Sequence, residues 1–102
     1  MKLYLAKSQR PGKLVEGTKL RKELEGQPIL NACVLDYLLA HPELIPEEWK
    51  GKTVLFWGTI YHDLHDNLVV RYLYWEDNGW CWKIRWLGGC FSGSNPAAVL
   101  AA

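Results

Sequence analysis

The hydrophobic period of this chain changes at Thr53, and that change constrains the fold more than any other feature. Downstream of it, the runs TVLFWGTIY, LVVRYLYW and WCWKIRWL alternate along their length and are rich in β-branched and aromatic residues. Such runs make half-buried strands, and the short turn-like segments between them leave time only to double back. The expectation is an antiparallel meander. Gly58, inside the first run, marks a bulge or the close approach of another element.

Upstream the period is helical. Asn31 is a good N-cap, and Val34, Leu35, Leu38 and Leu39 form an apolar stripe that Pro42 must end near Ala40 or His41. Pro46-Glu47-Glu48-Trp49 reads as one further turn with proline first, closed by Gly51. Met1 to Ala6 alternates enough for a short strand, with Leu3 and Leu5 on one side, and Pro11-Gly12 breaks it. Thr18 can cap a brief helix carrying Leu20 and Leu24, with Gly26 as its stop. In the tail, Asn95 as cap and Pro96 as first helical residue predict a short helix. The expected fold class is α+β, one main helix packed on a three- to four-stranded antiparallel Trp-rich β-meander. Residues 1–26 form a basic N-terminal arm, and 27–102 a single α+β domain.

At 102 residues the chain is one domain's length and can bury a core without staples. No apolar run reaches the ~18 residues of a membrane helix, and MKLYLAKSQR is too short in its apolar part for a secretory signal. The expected compartment is the cytosol. Cys33, Cys81 and Cys90 are odd in number and include no CxxC pair, so they suggest buried structural thiols. Net charge is +1, but unevenly spread: residues 1–26 carry seven Lys/Arg and three Glu, while 27–51 carry Lys50 against four acids. That pattern suggests docking of the arm on the acidic region as readily as an outside partner.

The second hairpin decides which surface is free. A two-residue turn at Asp77-Asn78 or Asn78-Gly79 would place Leu73, Trp75, Trp80, Trp82, Ile84 and Trp86 on one side and Tyr72, Tyr74, Cys81, Lys83 and Arg85 on the other. A three-residue loop would instead gather Arg71, Lys83 and Arg85. The two-residue loop is favoured because it sets Trp75 across from Trp80. On that reading the tryptophans pack on the Asn31 helix as core, and the tyrosine face is open.

The run VLDYLLAHPELIPEEWKGK, followed by FWGTIY, VRYLYW, W-x-W and a closing NPAA, resembles a group of small uncharacterised bacterial proteins. The likeness covers residues 27 to about 98. It implies a bacterial, cytosolic, stand-alone domain and nothing catalytic. The first hairpin loop departs from the group: His62-Asp63-Leu64-His65-Asp66-Asn67 stands where an acidic, glycine-containing turn is usual.

Four site readings follow from the residues. Tyr72, Tyr74, Lys83 and Arg85 offer stacking platforms and cations suited to single-stranded nucleic acid. His62, Asp63, His65 and Asp66 are weak metal ligands, since a flexible turn does not pre-organise a tetrahedral site and a turn wants Asp and Asn for its own backbone. Cys81 or Cys90 with a histidine would need proximity that no spacing indicates, and Gly88-Gly89 and Gly93 do not build a phosphate loop. Neither a cofactor nor an enzymatic activity is expected. Six tryptophans exceed what so small a core covers easily, so Trp49, Trp57 or Trp86 is expected to stand partly exposed as an interface anchor. Pairing through Leu3–Leu5 or the third strand could also build a dimer. The function expected is non-enzymatic binding of a protein partner or self-association, with nucleic acid as the alternative and no membrane role.

Overall fold

A computed structural model describes residues 1–10 and 13–100, so the expected break at Pro11-Gly12 lies outside the described residues. Strands β1 (Lys2–Tyr4) and β2 (Val15–Glu16) precede helices α1 (Gly17–Glu23) and α2 (Ala32–Ala40). Then come β3 (Val54–His62), β4 (Leu68–Glu76), β5 (Gly79–Trp86), β6 (Cys90–Phe91) and β7 (Ala97–Val99). The class is α+β. The meander β3-β4-β5 is present, but it is part of a five-stranded mixed sheet in the order β1-β7-β3-β4-β5. β2 and β6 form a second, two-stranded sheet. A single antiparallel meander with one helix is therefore too simple a description.

The tail makes the difference. Ala97–Val99 is not helical: it runs antiparallel to β1 and parallel to β3. Asn95 does not cap a helix but closes a turn, its Oδ1 accepting from Ser92 N at 2.8 Å. Pro96 sits where the carbonyl alone is needed, accepting from Leu55 N at 2.9 Å. With Ala97 and Val99 facing one apolar cluster and Ala98 the other, β7 is buried on both sides. Long-range burial overrides the local helix signal here.

Helix α2 forms as its caps dictate. Asn31 Oδ1 accepts from Val34 N at 3.2 Å, and Pro42 follows the last turn. Leu35 and Leu38 pack with Val54, Phe56, Leu73, Ile45 and Trp49 on one side of the sheet. Gly58 allows this approach: a Cβ there would lie 2.8 Å from the Leu30 carbonyl carbon, and its N–H donates to Leu30 O. Pro46-Glu47-Glu48-Trp49 makes the expected extra turn, of 3-10 type, burying Trp49.

The opposite side is covered by α1 and the small sheet. Leu20 and Leu24 join Ala6, Val15, Leu55, Trp57, Val70, Leu87 and Phe91 in a second cluster. α1 begins at Gly17, with Thr18 inside its first turn rather than capping it. A Cβ on Gly17 would stand 2.4 Å from the Leu87 carbonyl oxygen, so glycine is what lets this helix start so close to the chain after β5. Gln9 is buried with it: its Nε2 donates to Asn95 O at 2.7 Å, and its Oε1 accepts from Ala6 N. Among the described residues no ion pair joins the cations of 1–26 to the acids of 27–51. Backbone pairing of β1 with β7 and of β2 with β6, the bonds of Gln9 and the apolar cluster hold these residues instead.

Candidate protein-interaction surface on strand β5

Asp77 and Asn78 both adopt left-handed backbone, with φ of 50° and 62°, the signature of a two-residue type I′ turn. Glu76 pairs with Gly79 and Trp75 with Trp80, whose rings meet edge-on at 5.3 Å. This is the two-residue register, so Arg71 lies across from Ile84 and away from Lys83 and Arg85.

Which face is covered does not follow the expectation. Leu73 is fully buried under α2, and Lys50 lies 3.9 Å over the Trp75 ring. Beyond that the cover stops: Trp82, Ile84 and Trp86 are 48%, 51% and 57% exposed. A nine-residue helix is only about 13.5 Å long and about 10 Å wide, so it spans β3 and β4 and leaves β5 bare. That width mismatch was the available sequence signal for Trp82 and Ile84, which the face pattern alone assigned to the core. Trp49 and Trp57 are buried, so Trp86 alone of the three suggested anchors is exposed.

The bare residues are held in place from below. The Arg71 guanidinium sits 4.0 Å from the Trp82 ring and donates to Asp36 Oδ1 of α2 at 2.8 Å. Burial disfavours the Arg71 charge, but its hydrogen bond to Asp36 and the nearby Tyr61 hydroxyl outweigh this, and its pKa lies above the ordinary value. Arg71 Nε is buried with no acceptor. Tyr61, Arg71, Trp82 and Ile84 line a shallow, open depression of about 250 Å³ on this face.

The backbone of β5 is equally bare on its outer side. Leu87 N donates to Leu68 O at 3.0 Å, which fixes the phase of the ladder. In an antiparallel pair alternate residues exchange bonds with one neighbour. Cys81, Lys83 and Arg85 therefore bond to β4, while Trp80, Trp82, Ile84 and Trp86 turn their N–H and C=O away from it. No described strand pairs with that side. Only the Trp86 carbonyl is used locally, accepting from Gly89 N at 3.1 Å.

The tyrosine face is less open than expected. Tyr72 packs against the cluster beneath α1, and its ring lies 5.6 Å from that of half-buried Tyr74. Arg85 is engaged with the Cys90 carbonyl and lies 4.5 Å over Phe91. Lys83 remains exposed, 5.5 Å from the Tyr74 ring, and the Tyr74 phenol raises its pKa. So the structure brings Tyr74 and Lys83 together and commits Tyr72 and Arg85 elsewhere.

The His62–Asn67 loop is a turn built on Asp63, whose carboxylate accepts from the backbone of His65 and Asn67 at 2.8 and 2.9 Å. These bonds, that from Asn67 first, hold its pKa below the usual 3.8 against an opposing desolvation. His62 reaches Asp66 at 3.7 Å, and no cluster of three or more His, Cys, Asp or Glu able to hold a metal occurs among the described residues. The cysteines correct the expectation of buried thiols. Cys33 and Cys90 are exposed and Cys81 is half-buried. Cys33 lies off the Ala32–Leu35–Leu38 stripe, and Cys90 points away from the side on which Phe91 is buried. A cavity of about 470 Å³ beside β1 is lined by Leu3, Tyr4, Leu5, Arg10, Lys52, Gly93 and Pro96.

No helix among the described residues is long and apolar enough to cross a membrane. Comparison of the chain with protein-family models, curated proteins and solved structures finds no match.

Proposed function

We propose that this protein is a non-enzymatic binding module that takes up another polypeptide on strand β5. One observation carries the reading: of the four residues that turn backbone groups toward the open edge, three also expose large apolar side chains. Trp82, Ile84 and Trp86 thus offer main-chain hydrogen bonds and apolar contact together. Strand addition uses that combination, with backbone bonds supplying affinity and alternate side chains supplying selectivity. An aromatic strip of this size on a small chain is also an aggregation hazard if left unpartnered. A bacterial cytosolic setting, which the likeness to the small bacterial group implies, is part of the same proposal. Nucleic-acid binding through the tyrosine face has less support, because Tyr72 and Arg85 are engaged within the fold.

Selection of displayed peptides on the full chain tests the reading. Proline at Ile84 removes an N–H that does not serve the β4 ladder, so Ile84→Pro should fold and block strand addition. Enriched peptides should lose binding to Ile84→Pro and to Trp82→Ser/Trp86→Ser. Peptides that bind all these variants as well as the parent would sink the proposal.

A further inference from the structure

Resting on that reading of β5, we propose that its occupant is an extended segment of another protein, acidic at alternate positions and apolar at those between. A second copy of this chain is disfavoured.

The two sides of the β5 edge differ in charge. On one side Trp82, Ile84 and Trp86 are apolar, and the nearest cation, Arg71, is already engaged by Asp36. On the other, Lys83 is exposed, and Arg85, two residues on, is held by the Cys90 carbonyl but meets no carboxylate among the described residues, so its charge is not neutralised as that of Arg71 is. A strand laid along the edge places its own alternate residues opposite each set, because directly opposed residues share a face. Carboxylates opposite Lys83 and Arg85, with branched or aromatic side chains opposite Trp82 and Ile84, complement both at once.

Self-pairing meets the opposite situation. Symmetric antiparallel pairing must keep each residue on its own face, so it is centred on a residue of β5. Two registers overlap nearly the whole strand. The one centred on Lys83 sets that ammonium directly against its own copy. The one centred on Trp82 leaves the two lysines diagonal, about 7–8 Å apart. Centring on Ile84 opposes Lys83 to Arg85 twice. A lysine in the middle of an edge strand is a common device against self-association. Here the same charge that discourages a copy of the chain selects an acidic strand.

The test titrates the full chain with three seven-residue peptides, followed by amide NMR shifts: alternating Glu-Val, alternating Lys-Val, and a Glu/Val scramble without alternation. Sedimentation of the chain alone is measured alongside. The alternating Glu-Val peptide should move the amides of Trp80 to Trp86 and bind roughly tenfold more tightly than the Lys-Val peptide, since two charge pairs change sign. The scramble should bind more weakly, Lys83→Glu should reverse the Glu/Lys preference, and the free chain should sediment as a monomer. Equal affinity for all three peptides, or a preference unmoved by Lys83→Glu, overturns the acidic partner. A dimer that Ile84→Pro dissolves, with no peptide bound, overturns it in favour of a second copy while leaving strand addition on β5 intact. Failure of every peptide with a monomer unaffected by Ile84→Pro overturns both readings.

Discussion

On the Tyr72 side of the sheet, Leu55, Trp57 and Val70 are sealed beneath α1 and the β2-β6 pair; on the Trp82 side, cover ends with α2 at Leu73. Both sides of the sheet carry aromatic residues, and the more hydrophobic set is the exposed one. Alternation along a strand therefore sorts residues onto faces without saying which face the rest of the chain can reach. Reach is decided by cover: α2 is short, whereas Ala6, Val15, Leu20 and Leu24 with residues 87–91 together blanket the other side as far as Phe91.

The largest expected effect separates two tryptophans. Trp57→Ala empties a site beneath α1 and should lower stability by about 3–5 kcal/mol, or prevent folding. Trp82→Ala and Trp86→Ala should each stay within about 1 kcal/mol of the parent in urea unfolding, since neither ring is in the core. Comparable losses at Trp57 and Trp82 would mean that the two faces are not different in kind. A related prediction concerns how α1 is admitted to its face. Gly17→Ala drives a Cβ into the Leu87 backbone, which cannot swing aside as a side chain can. A loss of about 1–3 kcal/mol is expected, whereas Gly79→Ala, with only Glu76 O near at 3.9 Å, should be nearly silent.

Polar contacts come next in size. Gln9→Ala leaves the Ala6 N–H and the Ser92 and Asn95 carbonyls short of a partner, and should cost about 1–3 kcal/mol. On the α2 side, Asn31→Ala removes one cap bond and should cost about 1 kcal/mol. If the cap change proved the more damaging of the two, α2 rather than the N-terminal cover would dominate stability.

What was legible in the sequence follows the range of the interaction. Asn31, Pro42 and the Asp77-Asn78 turn act on their own neighbours, so α2 and the β4-β5 register could be read directly. The strand Ala97–Val99 could not, because alanine has no strand preference and its burial depends on β1 and β3, far away in the chain. The cover over the tyrosine face was hidden for the same reason. Tyr72, Tyr74, Lys83 and Arg85 do share a side, but the cover over Tyr72 comes from the N-terminal residues, and Phe91 draws Arg85 inward. Trp86 was identifiable as a surplus aromatic, whereas Trp82 and Ile84 needed the width of α2 to be compared with that of the sheet.

The smallest expected effect lies outside both clusters, at the β3-β4 loop. Asp63 accepts its bonds most strongly as a carboxylate, and its pKa in the folded chain is depressed, with the Asn67 backbone bond the first cause. A depressed folded value means the stabilisation is present above the unfolded pKa and is lost as pH falls through the folded one. The window therefore lies below 3.8. Because the group is solvent-exposed, its loss should loosen the turn without unfolding the sheet. Carboxyl NMR titration should place the Asp63 midpoint below that of an ordinary aspartate. Amide exchange at His65 and Asn67 should then rise in the same interval, after correction for the intrinsic rate. Asp63→Ala should give that faster exchange at all pH values, while the Trp82 and Trp57 environments stay unchanged. Loss of the buried Trp57 signal in step with the Asp63 titration would instead tie the loop to the covered face, and the division between a sealed and a bare side would need redrawing.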